Sequence, residues 1–175
     1  MFTPLLRLFT ATGCAALLFT ACSSYDPNEL LNCENAAFYL SGNGQSNSLK
    51  MLSANMLRNQ DLKLLAMEAY YKDSVRVLLN LADAGYTTAG LKNDSLHLGD
   101  YIFSRRQATA SSGKVVLGFK AEKEYQFLTT DSSSITITEI DAATRTVSGS
   151  YYVETVNPDA TMQGSFSRVC FRSIQ

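Results

Sequence analysis

Few side chains in this sequence are arranged for catalysis. His97 is the only histidine, and it stands between two leucines. A single imidazole cannot make a histidine-rich metal site. It could form a cysteine–histidine pair only if the fold brought it to Cys170. The sequence also lacks a Gly-x-Ser-x-Gly motif, a His-Glu-x-x-His motif and a glycine-rich phosphate loop. It therefore predicts a non-enzymatic protein without a cofactor, with His97 at an exposed strand or loop position.

Two groups of polar residues could offer oxygen ligands to calcium. Asn93-Asp94-Ser95 lies close to Asp100 in sequence, and Asn157-Pro158-Asp159 forms the second group. Neither has the ligand spacing of an EF-hand loop. Asn and Asp side chains also hydrogen-bond to the backbone of turns, which explains both groups without a metal ion. We therefore predict turns at these positions and no metal site.

Tyrosines are the remaining residues that could bind a ligand. The chain has nine Tyr and no Trp, and Tyr70-Tyr71 and Tyr151-Tyr152 could each provide a ring that stacks on a sugar. Because successive side chains of a strand point to opposite faces, one ring of each pair should be buried and the other exposed. Outward tyrosines are also common on strands that bind nothing. The pairs keep glycan binding open as an alternative function.

The N-terminus has the pattern of a targeting segment. Arg7 precedes an apolar run over 8–21, and small residues lead up to Cys22. These features are typical of a cleaved secretory signal peptide. The run is shorter than the ~20 apolar residues of a membrane-spanning helix, which disfavours an uncleaved anchor. Cys14 is a competing cleavage point, but its use would leave too short an apolar region.

The segment Phe19-Thr20-Ala21-Cys22 resembles the bacterial lipobox. That resemblance implies a signal peptide over 1–21, a lipid on Cys22 and a lipidated tether over 22–34. Several acyl chains hold a protein on a membrane far more firmly than one chain does. Ser23 resembles the residue that sorts such lipoproteins to the outer membrane. We therefore expect a protein anchored in the outer membrane by its lipid, on the periplasmic face or the cell surface.

Two cysteines remain for the folded part. Cys33 stands near its start and Cys170 near its end. Export places both in an oxidising compartment, where cysteines are commonly joined. We predict a Cys33–Cys170 disulfide, and the alternative is two buried free thiols that pack as small apolar groups.

Length and charge suit one domain that does not bind nucleic acid. Removing residues 1–21 from the 175-residue chain leaves 154 residues, enough for a single core, which we place at 35–175. The full sequence has a formal net charge of −1 and no basic stripe. Binding to a phosphate backbone needs clustered Lys and Arg. We therefore expect no nucleic-acid partner.

Alternating apolar residues predict strands along this domain. In the segment 75–81 the apolar residues fall on odd positions, as in a half-buried strand. The segment 62–71 also fits one face of a helix, but it lies between β patterns, so we predict a strand there. Further strands are predicted at 36–40, 49–57, 99–103, 114–121, 125–129, 135–140, 146–155 and 162–174, with a turn at 131–134. Short strands separated by turns predict an all-β fold, an antiparallel sandwich or a flattened barrel.

The C-terminal third contains three short patterns within 134–141, 147–152 and 164–166: I-T-I-T-E-I-D, V-S-G-S-Y-Y and G-S-F. Together with Gly99-Asp100-Tyr101, they resemble the ending of a family of small Bacteroidota-type lipoproteins of unknown function. In that family an all-β domain ends in I-T-I-T-x-x-D, S-G-x-F and G-x-F strands. The resemblance implies an all-β fold and attachment to a membrane, and it adds no catalytic residue.

The predicted attachment to the membrane and the missing catalytic motifs favour a non-enzymatic envelope lipoprotein. Its β-domain would bind an unidentified protein or glycan partner, or contribute to envelope structure. The alternative is a lipocalin-like barrel with a small ligand inside, or a glycan-binding β-domain. An open apolar cavity of ~300–1,000 Å3 would support the interior site.

Overall fold

β-strands make up nearly all of the regular structure. The computed structural model describes residues 33–42 and 44–174. Among these residues the strands are β1 (Ala37–Gly42), β2 (Gln45–Ser48), β3 (Lys50–Asn59), β4 (Leu62–Tyr71), β5 (Val75–Asp83), β6 (Gly99–Ser104), β7 (Gly113–Ala121), β8 (Glu124–Phe127), β9 (Thr129–Asp141), β10 (Thr146–Val156), β11 (Ala160–Cys170) and β12 (Arg172–Ile174). Short 3-10 helices lie at Gly90–Lys92 and Arg105–Ala110. The all-β prediction is therefore confirmed.

In the described part of the chain the strands form two six-stranded sheets. Sheet A has the order β2-β1-β11-β10-β9-β6, and sheet B has the order β12-β3-β4-β5-β7-β8. Neighbouring strands are antiparallel except β12 and β3, which run parallel. The sheets do not close into a barrel. The sandwich prediction is confirmed, and the flattened barrel is wrong.

Alternation along the strands builds the core between the sheets. In β4 and β5 the odd-numbered side chains over 63–69 and 77–83 are buried, with Leu65 and Leu79 at most 1% exposed. In sheet A, Phe38 and Phe166 pair across β1 and β11, and their ring centroids lie 5.8 Å apart. Burying one such side chain contributes roughly 1.5–3 kcal/mol. Because every second residue over 63–69 is buried, β4 is a strand, as predicted, and not the alternative helix.

A hydrogen-bonded corner joins the sheets where β7 approaches β9. Thr130 Oγ1 donates to the carbonyl of Val115 at 2.6 Å, and the Val115 N–H donates to Ser133 Oγ at 3.1 Å. Thr130 and Ser133 are buried, and an unpaired hydroxyl there would cost free energy. The predicted turn at 131–134 is therefore wrong: this polar stretch pairs with β10 and β6 as part of β9, and its inward hydroxyl, that of Ser133, finds a partner on β7.

The C-terminus changes sheets at Phe171. β11 ends in sheet A at Cys170, and β12 then joins the edge of sheet B beside β3. The sequence interpretation predicts one strand over 162–174, so it misses this change, and it also misses the short strand β2. Cys33 and Cys170 form a disulfide with their Cα atoms 5.8 Å apart. The predicted pairing is confirmed, and it fixes Cys33 at the corner where the chain crosses between the sheets.

Several predictions on the N-terminal part lie outside the described residues: the signal peptide over 1–21, the lipid on Cys22 and the tether up to residue 32. Cys33, at the end of the predicted tether, is held on the domain by the disulfide. Within the residues that the structure describes, none of the helices is both long and apolar enough to span a membrane.

Candidate functional site

Charged side chains line the inner face of sheet B at one end of the sandwich. The register pairs Arg58 of β3 with Lys63 of β4, and Lys63 with Asp83 of β5. Lys63 and Asp83 share the inward parity of core residues such as Leu65, and they are 0% and 4% exposed. We call these three residues, together with Asp94 of the loop that follows β5, the charged cluster.

Lys63 is enclosed by acceptors from the loop between β5 and β6. Its Nζ donates to Asn93 Oδ1 at 2.9 Å and to the Ser95 carbonyl at 2.7 Å. The ammonium also lies 3.9 Å from the centre of the Tyr86 ring, in a cation–π contact. The Ser95 N–H donates to the same Asn93 oxygen at 3.1 Å, which confirms the predicted turn. Lys63 thus holds this loop over the end of the sandwich.

The surroundings of Lys63 also set its protonation. Burial, and then the positive charge of Arg58, lower the pKa of Lys63, while Asp83 and Asp94 oppose that shift. A lysine with a lowered pKa is a candidate base or nucleophile. Here, however, the side chain is fully buried and its Nζ faces acceptors of the protein itself. The geometry therefore supports a structural role for Lys63.

Asp94 binds two arginines from different parts of the chain. Arg58 Nη2 contacts its Oδ1, and Arg145 Nε donates to its Oδ2 at 2.8 Å. Burial alone would raise the pKa of Asp94, but the hydrogen bond from Arg145 and the positive charges of Arg58 and Arg145 lower it overall. Among the described residues there is no group of three or more His, Cys, Asp and Glu side chains placed to hold a metal ion.

Asp83 orients His97, which lies in a loop as predicted. The His97 N–H donates to Asp83 Oδ2 at 2.7 Å, and His97 Nδ1 lies 2.8 Å from Asp83 Oδ1. The His97 ring stacks on Tyr86 with the centroids 4.7 Å apart, and its side chain is 62% exposed. A histidine held by a carboxylate resembles half of a hydrolase triad. In the described part of the chain, no Ser, Thr or Cys side chain is hydrogen-bonded to its other ring nitrogen.

The outer face of sheet A differs from the charged cluster in being rich in hydroxyls. The register aligns side chains of β2, β1, β11, β10 and β9 in two rows. The first row contains Ser48, Tyr39, Ser165, Ser150 and Thr136, and the second contains Ser46, Ser41, Gln163, Tyr152 and Ser134. We call these ten residues the serine–tyrosine face.

An open groove of about 550 Å3 crosses this face. Tyr39 and Tyr152 line it together with serines and Gln163, and none of the described residues that line it is charged. The two tyrosines are two strands and two residues apart, so their Cβ atoms are about 12 Å from each other. Serine side chains are too short to fill that space. The groove therefore results from small residues placed between two large rings.

Buried groups hold the strand that carries Tyr39. Tyr151 points inward from β10, and its hydroxyl donates to the Tyr39 carbonyl at 2.8 Å. Gly164 leaves the room for this contact, because a Cβ at Gly164 would overlap both the Tyr39 backbone and the Tyr151 ring. Burial raises the pKa of Tyr151, so its hydroxyl remains a donor at neutral pH. β1 and β10 are thereby tied across the intervening strand.

Tyr152 is oriented by a carboxylate on its own strand. Its hydroxyl donates to Glu154 Oε1 at 2.5 Å, and Ser132 Oγ donates to Glu154 Oε2 at 2.7 Å. These hydrogen bonds, the one from Tyr152 first, lower the pKa of Glu154. Glu154 therefore stays ionised at neutral pH and keeps the phenol in one place beside the groove.

The structure places only one of the two predicted tyrosine pairs on this face. In Tyr151-Tyr152 the first ring is 3% exposed and the second points outward, as the alternation predicts. Tyr70-Tyr71 lies on sheet B, with the second ring against the core. The sequence interpretation misses Tyr39, although alternation within the short apolar segment 36–40 gives it an outward position.

The outer face of sheet B carries a groove of different chemistry. It has a volume of about 430 Å3, and apolar side chains such as Leu57, Leu64 and Phe103 line most of it. Leu57 is 42% exposed, and Lys114 Nζ lies 4.8 Å from the centre of the Phe103 ring. The two sheets thus carry outer grooves of different character, one lined mainly by apolar side chains and one rich in hydroxyls.

Comparison with known proteins adds no independent evidence on function. No protein-family model, curated protein or solved structure matches the chain. Any function assigned to these sites therefore depends on the residues and geometry of this chain.

Proposed function

We propose that this protein is a non-enzymatic lipoprotein of the outer membrane that presents its β-sandwich as a rigid binding domain. A lipid on Cys22 would hold it there. The observation that carries the proposal is the position of Cys33, which the disulfide fixes to Cys170 at one corner of the domain. A tether from Cys22 therefore ends at a defined point of a folded unit.

The tether is short relative to the domain. Eleven steps along the backbone from Cys22 to Cys33 span at most about 40 Å. A domain of this size has a radius of gyration of about 14 Å, and thus a diameter of similar magnitude to the tether. The lipid would keep the domain within about one diameter of the membrane surface.

The charged cluster supports a role without catalysis. A perturbed lysine and a His–Asp pair are the features that usually suggest an active site. Lys63 and Asp94 each bind partners within the protein, and their contacts close one end of the sandwich. The hydrogen bonds and ion pairs of Lys63 and Asp94 thus stabilise the fold.

Intact mass spectrometry of the protein extracted from membranes tests the anchor. We expect a chain that starts at Cys22 and carries the mass of its acyl groups, in the outer-membrane fraction of a density gradient. Cys22→Ala should abolish the added mass. Cys14→Ala is the matched control and should leave it unchanged. A mass that retains residues 1–21, or a shorter chain without lipid, would contradict the proposal.

The alternative function divides into two forms. Binding of a ligand inside a lipocalin-like domain needs a closed barrel, whereas this sandwich has two separate sheets. Binding of a glycan on an outer face needs aromatic rings and hydrogen-bonding groups on one open surface. The serine–tyrosine face offers both, and it favours the second form.

A further inference from the structure

The groove on the serine–tyrosine face has the dimensions and the chemistry of a carbohydrate site. We propose that it binds a neutral oligosaccharide or polysaccharide segment, which lies between Tyr39 and Tyr152. Such binding uses the folded domain alone and does not require a lipid on Cys22.

The polarity of the groove selects the ligand class. Serine hydroxyls both donate and accept hydrogen bonds, and the Gln163 amide offers two donors and an acceptor. Sugar hydroxyls have the same dual character. An apolar ligand would leave these protein groups without partners, which costs free energy. A ligand with many hydroxyls therefore fits this lining better than an apolar one.

The charges near the groove disfavour an anionic ligand. Within the part of the chain that the structure describes, no Lys or Arg lines the groove. Glu154 lies beside it, and the hydrogen bonds from Tyr152 and Ser132 lower the pKa of this carboxyl, which favours its charged form. A carboxylate or phosphate group would meet this negative charge without a compensating cation. The ligand is accordingly a neutral glycan.

The tyrosines supply the apolar part of the contact. The face of an aromatic ring is electron-rich, so it attracts the weakly positive C–H groups of a sugar ring. Tyr39 and Tyr152 are about 12 Å apart at Cβ, which is more than the width of one sugar ring. The groove volume of about 550 Å3 also lies in the ordinary range of ligand sites, ~300–1,000 Å3. An oligosaccharide can therefore reach both rings, whereas a monosaccharide reaches one.

The groove is formed before a ligand binds. The Tyr151 hydroxyl fixes the backbone at Tyr39, and Glu154 fixes the phenol of Tyr152. Serine side chains have few conformations to lose when they bind. Groups already held in place bind with a smaller entropic cost than mobile ones. Weak individual contacts can thus add up to measurable affinity.

Affinity gel electrophoresis tests the proposal on the full chain purified in a mild detergent. The gels contain one soluble neutral polysaccharide each: a β-glucan, a xylan, a mannan or an α-glucan. A gel with polygalacturonate serves as the anionic comparison. We expect at least one neutral polysaccharide to retard the protein, and polygalacturonate to leave its mobility unchanged.

Variants then locate the site. Tyr39→Ala and Tyr152→Ala should each weaken the retardation about fivefold or more, because each removes one stacking ring. Ser150→Gln should weaken it as well by filling the groove while both rings remain. Tyr70→Ala is the matched control on sheet B and should have no effect.

Two outcomes would overturn the proposal: no retardation by any neutral polysaccharide, or retardation that survives both Tyr39→Ala and Ser150→Gln. Circular dichroism of each variant shows whether it is folded, and Ser150→Gln keeps the test decisive if removal of a tyrosine disturbs the sheet. A missing lipid on Cys22 would contradict the proposed anchor and leave this result unaffected.

Discussion

Removal of the Cys33–Cys170 disulfide should destabilise the domain strongly. The two cysteines are 137 positions apart in sequence, so the bridge closes almost the whole described chain into one loop. In the chain-entropy model such a loop removes about 17 cal/mol/K from the unfolded state, or about 5 kcal/mol at 25 °C. Losses measured for native disulfides are typically ~2–5 kcal/mol. We therefore expect the double replacement Cys33→Ser with Cys170→Ser to lose about 2–5 kcal/mol, or roughly 6–15 °C in Tm.

Urea unfolding is the appropriate assay, followed by far-UV circular dichroism and by tyrosine fluorescence, since the chain has no Trp. Both cysteines are replaced together so that no free thiol remains at this corner. The wild-type protein with reductant should unfold at the same midpoint as the double variant. Reductant should leave the double variant unchanged, which controls for effects elsewhere.

Equal midpoints for the oxidised wild-type protein and the double variant would refute this reasoning. They would mean that the unfolded chain keeps its ends together without the bridge, so that closing the loop removes no entropy. A steeper dependence on urea in the double variant would support the reasoning, because an open chain exposes more surface when it unfolds.

Three further replacements test the packing. Asp94→Asn should cost roughly 1–3 kcal/mol at pH 7, because it leaves the largely enclosed Arg58 without its carboxylate. Since the pKa of Asp94 is lowered, this difference should shrink in urea titrations below about pH 4, and a constant difference would contradict the prediction. Gly164→Ala should cost roughly 1–3 kcal/mol by overlap with Tyr151, whereas Ser165→Ala on the same strand should stay within about 0.5 kcal/mol. The pKa of Lys63 is lowered by folding, so wild-type stability should rise relative to Lys63→Met as the pH approaches 10.5, and parallel pH curves would exclude this linkage.

The local sequence pattern was sufficient to predict strands that pair, in the sheet, with the strand next to them in sequence. The odd-numbered apolar residues of 75–81 predict β5, and the same parity continues in β4 across one turn. The segment 131–134 shows the limit of local pattern. Its polar residues are typical of a turn, but residues 132–134 pair with β10 on one side and β6 on the other, and Ser133 is satisfied on the inner face by Val115.

The charged cluster depends on contacts distant in sequence. Lys63 and Asp83 have odd numbers, like the buried apolar residues of their strands. This alternation could have predicted that both side chains point inward, but the sequence interpretation did not use it. Their partners come from the loop after β5 and, for Asp94, from Arg145 at a separation of 51 residues. No spacing rule links those positions, because the link is made by the packing of one sheet on the other.

The serine–tyrosine face was predictable in part. Alternation alone predicts that one ring of the Tyr151-Tyr152 pair points outward, and the structure shows that this ring is Tyr152. The groove needs in addition the register of β1 on β11 and of β11 on β10, which places Tyr39 on the same face. The Tyr151 hydroxyl reaches the Tyr39 carbonyl across 112 positions of sequence. Single serines in separate strands become one surface only through that register.

The proposed lipid anchor would increase the effective affinity of the proposed glycan site. Two tyrosines and a row of hydroxyls make a shallow site, and shallow sites with few anchoring rings bind weakly as single copies. A lipid would concentrate many copies on one surface, where a polysaccharide with repeating units can engage several grooves at once. Linked binding events of this kind raise the overall affinity by orders of magnitude without any new contact. A weak, preformed groove is therefore well suited to a protein that is held on a membrane.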